Sequence, residues 1–263
     1  MREMKRILKI LFFLFVSIDV YGFTILIDPG HGGEDYGAQG KVYGRTKGKR
    51  FLLKKVVEKN LTLIYASKIR ERLLAKKYRV YLSRSFDHTI TLEKRAEISQ
   101  TVKADIFISI HMNSSLTSTS NGFEIYYLDN HNDGAVKKVE EVENVGLKGE
   151  DLIIHQILTD LVVDRTVKGS MKLANQVYEN VEKSVFKRFS VKGRGIRPGL
   201  FYVLALSKRP GILLELGFLS NGSELTKLTS SKFQDVMVNS IVEGIDSYFH
   251  GAKSAGIIQK KAE

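Results

Sequence analysis

Two apolar runs in this sequence predict buried β-strands, and each of them ends at a histidine. Residues 25–33 read ILIDPGHGG. The branched side chains favour a strand, whereas proline and glycine cannot continue one, so His31 falls on a tight turn past the strand's carboxyl end. Residues 105–111 read DIFISIH, a nearly continuous apolar run that is typical of a central strand and ends at His111. Open α/β sheets bind ligands at the carboxyl ends of their strands, so both histidines are candidates for a functional site.

The rest of the chain alternates strand-like and helical patterns. Strand-like runs cover residues 23–28, 79–82, 105–111, 122–128, 201–206 and 212–216, and helical periodicity covers residues 56–74, 92–102, 153–163, 170–185 and 233–249. Residues 37–55 are rich in glycine and lysine and predict a loose connection. The alternation predicts one α/β domain with a mixed, mostly parallel sheet of about six strands and helices on both faces.

The composition limits the partners and the metal chemistry of the chain. Its 263 residues, of which 43% are hydrophobic, are enough for one compact core. A formal net charge of +12 favours polyanions such as nucleic acid, anionic lipid or acidic cell-wall polymers. The absence of cysteine excludes disulfides and thiolate metal sites, so a zinc ion would have to be held by histidine and carboxylate side chains.

The amino terminus has the layout of a secretory signal. Basic side chains precede the apolar run ILFFLFV, and Val20 and Gly22 offer small residues for cleavage after residue 22. The run is shorter than the roughly 20 residues of a membrane span, and an uncleaved anchor is the alternative. We therefore expect a signal peptide (1–22), a mature domain (23–250) in the periplasm or cell envelope, or secreted, and a Lys-rich disordered tail (251–263). An exported protein meets envelope polymers first, so we expect no nucleic-acid partner.

The two histidines need a third ligand to form a metal site. If their strands are neighbours, both imidazoles emerge at the same edge of the sheet. Glu58, in the first turn of the next helix, is the candidate third ligand because helix starts share that edge. The alternatives are a solvated acid favoured by the helix dipole for Glu58, a turn histidine for His31 and a satisfied buried histidine for His111.

Glu215 is a fourth candidate because it lies inside the apolar run 212–221, ILLELGFLSN. An ionised carboxylate costs several kcal/mol to bury unless it is paired. It therefore either forms a buried ion pair, with Arg84 or Arg209, or handles a proton. Beside a metal ion it could accept a proton from an attacking water molecule and return it to a leaving amine.

Several motifs together resemble a known family. ILIDPGHGGEDYGA, EKNLTL, SRSFDHTITLEKRAEISQTVKADIFISIHMNS, GFEIYYL and RPGILLELGFLSN follow one another over residues 23–249. In this order they resemble the zinc-dependent N-acetylmuramoyl-L-alanine amidases of the AmiA/AmiB/AmiC type, the Amidase_3 family. The resemblance implies that His31, Glu58 and His111 bind one zinc ion and that Glu215 is catalytic.

The resemblance also implies a reaction and its partners. The family cleaves the amide between N-acetylmuramic acid and L-alanine of the peptidoglycan stem peptide, in cell-wall remodelling and daughter-cell separation. Asn113 is the candidate for a substrate hydrogen bond, whereas Arg84 and Arg95 are expected to pair with Asp87 or nearby acids in a structural role. We expect a monomer without a membrane span after signal removal, acting on peptidoglycan and regulated by an activator with a LytM-like domain.

A polar insert at about residues 129–152 is a candidate regulatory segment. In cell-division members of the family, a helix inserted near this position covers the metal site, and one of its acids occupies the open zinc position. Residues 135–146 (AVKKVEEVENVG) are compatible with a helix, and Glu141 or Glu143 could play that part. The alternative is a solvated surface helix.

Three other functions compete with the amidase prediction. A peptidoglycan-binding protein that does not cut would lack a ligand or the buried acid, and none is missing here. Ser184 and Lys187 formally satisfy the S-x-x-K pattern of penicillin-binding enzymes, but the surrounding apolar residues are typical of an ordinary helix face. A nucleic-acid binder would interleave aromatic and basic residues, and this pattern is absent.

Overall fold

The computed structural model describes residues 22–129 and 150–254 of the chain. Residues 1–21 of the expected signal peptide, the candidate inhibitory acids Glu141 and Glu143, and residues 255–263 of the expected tail lie outside the described ranges. None of the helices in those ranges combines the length and the apolar character that a membrane crossing needs.

A six-stranded sheet forms the centre of the domain, with a two-stranded hairpin beside it. The strands are β1 (Thr24–Pro29), β2 (Gln39–Thr46), β3 (Lys49–Val57), β4 (Arg79–Leu82), β5 (Ile106–Asn113), β6 (Phe123–Leu128), β7 (Gly193–Gly199) and β8 (Gly211–Phe218). The sheet order is β4-β1-β5-β8-β6-β7, in which β4, β1, β5 and β8 run parallel. Strand β6 is antiparallel to β8 and parallel to β7. The predicted mixed, mostly parallel sheet is confirmed.

Helices cover both faces of this sheet. They are α1 (Glu58–Ala75), α2 (Leu92–Thr101), α3 (Glu150–Val181), α4 (Lys187–Phe189), α5 (Tyr202–Ser207), α6 (Gly222–Leu228) and α7 (Ser231–Ser254). Side chains of α1, α7 and the second half of α3 pack on one face, and α2 and α5 pack on the other. Burial on both faces explains why the central strands read as continuous apolar runs.

Alternation along the strands decides which polar groups share a face. In β5, Ile106, Ile108 and Ile110 join the core under α1 and α7, whereas Phe107 joins the core under α2 and α5. Successive strand residues point to opposite faces, so His111 lies on the same face as Phe107. The functional candidates of the central strands therefore collect on the α2 and α5 side of the sheet.

The predicted strand at residues 201–206 is wrong, because Tyr202–Ser207 is helix α5. A short apolar run fits a buried helix turn as well as a buried strand, and its length alone cannot decide between them. The strand next to β6 is instead β7, whose sequence GRGIRPG carries a single branched residue, Ile196, among three glycines and a proline. Proline is tolerated there because β7 is at the edge of the sheet.

Residues 37–55, predicted to be a loose connection, form most of a hairpin. Strands β2 and β3 pair antiparallel over residues 39–57, and Lys47 and Gly48 at its turn both have positive φ, of 47° and 77°. Two consecutive residues with positive φ are typical of a two-residue type I′ hairpin turn. Most of the described hairpin residues are exposed and the segment is rich in lysine, so the alternation that identifies a half-buried strand is missing.

Two helix predictions also differ from the structure. The helices predicted at residues 153–163 and 170–185 are one helix, α3, which continues into a π-helical turn at Glu182–Phe186. Gly169 lies inside α3, where a Cβ would lie 3.1 Å from two ring carbons of Pro210. The glycine therefore lets α3 approach the segment that contains Pro210 closely. Helix α7 extends to Ser254, so the first residues of the expected disordered tail are helical.

Candidate metal centre

His31 lies on the turn that follows β1, in the left-handed region with a φ of 60°. Histidine is among the few residues other than glycine that enter this region. Its Nδ1 is 2.8 Å from the Asp35 carboxylate, and its Nε2 is 3.1 Å from Oε1 of Glu58. A carboxylate on one ring nitrogen fixes the tautomer and presents the other nitrogen as a ligand. The Asp35 pKa is lowered, mainly by this hydrogen bond to His31.

Glu58 is the first residue of α1 and is almost fully buried. Its Oε1 is 3.1 Å from the ring nitrogens of both His31 and His111 and accepts a hydrogen bond from the Met112 amide. Its Oε2 accepts a hydrogen bond from the Ala38 amide at 2.7 Å. Burial alone raises the pKa of Glu58, but its contacts with the two imidazoles outweigh burial and hold the pKa well below its usual value.

His111 lies near the end of β5, and its ring meets that of His31 edge to face with centroids 4.9 Å apart. The ring of His111 crosses over Gly30, where a Cβ would come within 2.4 Å of it. Glycine at this position is therefore required for the approach of His111 to the turn. Strands β1 and β5 are neighbours, as the metal-site prediction needs.

The three side chains form a donor set that fits a catalytic zinc ion. One ligand atom from each of His31, Glu58 and His111 lies within 4.8 Å of the other two. Two imidazoles and one carboxylate are a known ligand set for catalytic zinc, which keeps a fourth position for water or substrate. The close approach at Gly30 and the carboxylate behind His31 show that the turn is built to converge on this point.

Two buried arginines hold the turn that carries His31. Arg95 pairs with Asp28 and donates to the carbonyl oxygens of Pro29 and His31, both at 2.9 Å. Arg84 donates to the carbonyl oxygens of Pro29, Gly30 and Lys59. These bonds fix the backbone of the turn, so the predicted structural role is consistent with the contacts.

The two arginines were predicted to pair with Asp87 or nearby acids, and Arg95 does pair with an acid, Asp28, whereas the hydrogen bonds of Asp87 go elsewhere. The carboxylate of Asp87 is 2.7 Å from Nζ of Lys59 and accepts the amide of Gly33 at the same distance. Lys59 also donates to the Gly33 carbonyl oxygen at 2.6 Å. Asp87 thus ties the glycine turn to the start of α1.

Glu215 is buried near the end of β8, and its Cα is the register partner of His111. Equivalent residues of adjacent parallel strands point to the same face, which places Glu215 beside the candidate metal ligands. Arg209, one of its predicted structural partners, precedes β8 and lies at the other end of the strand. Arg84 points its guanidinium into the β1 turn. Neither placement favours the structural ion-pair alternative.

Asn113 and Glu124 form a second polar pair at this edge. The side-chain amide of Asn113 donates to Oε1 of Glu124 at 2.6 Å, so the predicted substrate contact of Asn113 has a competing protein partner. Glu124 is buried and is the register partner of Glu215 across β6 and β8. Sequence reasoning missed both Glu124 and Asp35. The available signals were a lone acid in the apolar strand GFEIYYL and a carboxylate four residues after His31.

Ser184 and Lys187, the alternative S-x-x-K pair, are both exposed on the π-helical turn and α4. The apolar residues between them, Val185 and Phe186, belong to the core packing under α7. Their arrangement is that of an ordinary surface helix face.

The model of the Amidase_3 family, N-acetylmuramoyl-L-alanine amidase, matches residues 25–247. The chain belongs to this family. It is 32% identical over 236 residues to the N-acetylmuramoyl-L-alanine amidase AmiA of Escherichia coli K12, with 86% of this chain and 76% of AmiA covered. The predicted family and enzyme class are confirmed: this amidase hydrolyses an amide of peptidoglycan.

Solved structures agree with the amidase fold. An N-acetylmuramoyl-L-alanine amidase from Clostridium difficile 630 is 30% identical and superposes with a TM-score of 0.63, covering 88% of this amidase and 98% of that chain. The CwlD amidase of Clostridioides difficile, solved in complex with the GerS lipoprotein, has a TM-score of 0.64 over 88% of this amidase and all of that chain. At 24% identity, the second likeness is one of fold.

Proposed function

We propose that this chain is a zinc-dependent amidase that cleaves the bond between N-acetylmuramic acid and L-alanine. The observation that carries the proposal is the convergence of His31, Glu58 and His111, with Glu215 aligned to His111 on the neighbouring strand. Zinc bound there would supply a Lewis acid for the scissile carbonyl and lower the pKa of a water molecule.

The chain's own residues would hold the metal and move the proton. His31, Glu58 and His111 are the proposed ligands, and Asp35 orients His31 from behind. Glu215 would accept the proton of the attacking water at its carboxylate. As the C–N bond breaks, Glu215 would return this proton to the alanine nitrogen, which leaves as a free amine.

Burial suits Glu215 to this work. Glu215 is 6% exposed, so bulk water has little access to its carboxylate. The neighbouring side chains of β8, Leu214 and Leu216, are buried and exclude water from the strand on the opposite face. Glu215 is therefore held on a rigid strand at the edge where substrate would enter.

The deciding experiment is mass spectrometry of purified muropeptides after incubation with the protein, with zinc, with chelator, and with zinc restored. Free stem peptides that begin with L-alanine, seen only with metal, would support the proposed reaction and its cofactor together. The matched control is Glu215→Gln loaded with zinc. Release of stem peptide in excess chelator would contradict zinc dependence, and unchanged muropeptides with zinc would favour the non-cutting alternative.

We further propose that the protein acts in the cell envelope after export, in cell-wall remodelling and daughter-cell separation. The supporting features are the signal-like amino terminus, the net charge of +12 and the peptidoglycan substrate of the family. Counting how many cells remain joined end to end, in strains with and without the gene, would test the role in separation. Immunoblots of periplasmic, envelope and medium fractions would test the location.

A further inference from the structure

Glu124 is a buried acid whose two oxygens are already bonded within the protein. Its Oε1 accepts from the side-chain amide of Asn113, and its Oε2 accepts from Nε of Arg194 at 2.9 Å. The guanidinium of Arg194 also lies over the ring of Phe218, 5.1 Å from its centroid. One arginine therefore neutralises Glu124, and these contacts hold that arginine in place.

Arg197 brings a second cation to the same acid, and its contacts are long. Its Nε lies 3.5 Å from Oε2 of Glu124, and its Nε and Nη2 lie 3.4 Å from the carbonyl oxygen of Arg194. Protein N–H···O bonds are typically 2.7–3.2 Å long. The side chain is 40% exposed, whereas that of Glu124 is buried. Arg197 is thus a weakly bonded guanidinium that solvent, or a ligand, can reach.

The charges of Glu124, Glu215, Arg194 and Arg197 all act on the hydroxyl of Tyr126. Burial, followed by the charges of Glu124 and Glu215, raises the pKa of Tyr126, and the charges of Arg197 and Arg194 oppose the rise. Tyr126 is the register partner of Arg197 between β6 and β7. Through its contact with Glu124, the register partner of Glu215, the Arg197 side chain lies near the proposed general base.

The order of the strands gives this edge a direction. Following the sheet from β1 through β5, β8 and β6 to β7, one meets His31, then His111, Glu215, Glu124 and the two arginines. If the metal holds the scissile carbonyl and Glu215 protonates the departing nitrogen, the acyl side of the substrate lies toward β1. The stem peptide beyond the alanine nitrogen then extends toward β6 and β7.

We propose that Arg197 binds a carboxylate of the stem peptide, on the residue that follows L-alanine. This inference rests on the proposed function, because that function sets the direction of the peptide. A guanidinium can donate two parallel hydrogen bonds to a carboxylate. Arg197 does not use its donors fully on Glu124, because Arg194 already neutralises that acid and the contact of Arg197 with it is long. Arg197 would make the enzyme selective for stems with a free α-carboxylate at that position over stems with a carboxamide.

The test uses two disaccharide-tetrapeptide muropeptides that differ only at the second stem residue, D-glutamate or D-isoglutamine. The zinc-loaded wild type should prefer the carboxylate form roughly 10- to 100-fold in kcat/KM, as expected for losing hydrogen bonds to a charged group. Most of this difference should be in KM. Arg197→Ala should lose the preference while its kcat on the carboxamide form stays within about twofold of the wild type. Arg197→Lys keeps the positive charge but lacks the two parallel donors of a guanidinium, so it should retain an intermediate preference for the carboxylate form.

Arg188→Ala is the matched control, since Arg188 is an exposed arginine on α4 away from this edge, and it should keep the full preference. Equal wild-type kcat/KM values on the two substrates would overturn the proposal. So would an Arg197→Ala variant that still prefers the carboxylate form, or one that slows equally on both and melts at a lower temperature, because the role would then be structural. A wild type that releases no peptide from either substrate would instead overturn the proposed function itself.

Discussion

His111 and Glu215 are aligned residue for residue on the neighbouring parallel strands β5 and β8. A candidate metal ligand and the candidate general base therefore share one face and one edge of the sheet. The backbone of two buried strands sets their separation, so substrate binding need not order a loop to assemble the pair. Catalytic groups on rigid elements are held more accurately than groups on loops.

Replacing Glu215 with glutamine should remove proton transfer and leave metal binding intact. We expect kcat/KM for stem-peptide release to fall about 10²- to 10⁴-fold, the usual contribution of a general acid–base group. Zinc measured by atomic absorption should stay at the wild-type content. A variant that keeps activity within a factor of a few would show that another group moves the proton.

The Asp35–His31 contact predicts a loss of zinc affinity in Asp35→Asn. Loss of a carboxylate behind a histidine ligand typically weakens metal binding about 10- to 100-fold. Competition with a fluorescent chelator measures this without any activity assay. Glu34→Gln is the control, because Glu34 is an exposed neighbour on the same turn. Equal affinities for Asp35→Asn and wild type would mean that Asp35 does not orient the ligand.

Gly30 predicts a steric effect on the metal centre. A Cβ there would lie 2.4 Å from the ring of His111, so Gly30→Ala should displace that ring. We expect weaker zinc binding and a loss of at least tenfold in activity at fixed zinc concentration, since small misplacements of catalytic groups carry large rate costs. Gly222→Ala, where a Cβ meets nothing within 4 Å, should leave both unchanged. Normal zinc affinity in Gly30→Ala would contradict the packing argument.

Asp28 predicts a pH dependence of stability. Burial raises its pKa, but Arg95, Ser83 and His111 together hold it below the ordinary value of an aspartate. A group whose folded pKa is depressed stabilises the fold above its unfolded pKa, and this stability is lost as the pH falls through the folded value. Asp28→Asn should therefore reduce the free energy of unfolding at pH 7 by about 3–5 kcal/mol, the usual effect of breaking a buried pair.

The difference in the free energy of unfolding between Asp28→Asn and the wild type should begin to narrow as the pH falls below about 4, where the carboxyl of the unfolded chain takes up a proton. It should narrow further until the pH passes the lower pKa of the folded carboxyl. Urea unfolding at several pH values measures it. The control is Asp235→Asn, whose ion pairs with Lys68 and Arg72 are partly exposed and should contribute little. A constant difference between pH 7 and pH 3 would argue that Asp28 does not contribute through its charge.

The insert predicts a gain of activity when it is shortened. If an acid of residues 135–146 occupies the open metal position, deleting this segment should raise the rate on purified sacculi. Glu141→Gln and Glu143→Gln, made separately, should show which acid acts. Unchanged rates in all three variants would mean that the insert is not a lid.

The strands that end at the site were predictable from sequence, because their burial on both faces leaves long apolar runs. The runs that carry His31 and His111 also end in residues with a chemical purpose, so they identify the functional edge. Glu215 was conspicuous for the same reason, as a charge among apolar neighbours. The structure places all three at or just past the ends of the neighbouring strands β1, β5 and β8.

Elements without a buried face, or with an ambiguous one, were not predictable. Strand β7 is held by pairing with β6 rather than by its own side chains, so its glycines and proline gave no strand signal. Helix α5 is short and apolar, and a buried strand of the same length would have the same composition. Asp35 and Glu124 each left a weak local signal, but their roles follow from contacts seen only in the structure, such as the 2.8 Å contact of Asp35 with His31 and the 2.6 Å contact of Asn113 with Glu124.

The base of the β2–β3 hairpin is closed by two reciprocal bonds: the Ala38 amide donates to the Glu58 carboxylate, and the Glu58 amide donates to the Ala38 carbonyl oxygen. The hairpin between Ala38 and Glu58 therefore leaves the domain and returns to it at this one pair of hydrogen bonds. The exposed outer part of the hairpin can consequently change in length or sequence while the spacing of the ligands on either side stays fixed, whereas Gly40 and Val56 near its base are buried. The hairpin is thus an appendage whose outer part can change without moving the metal ligands.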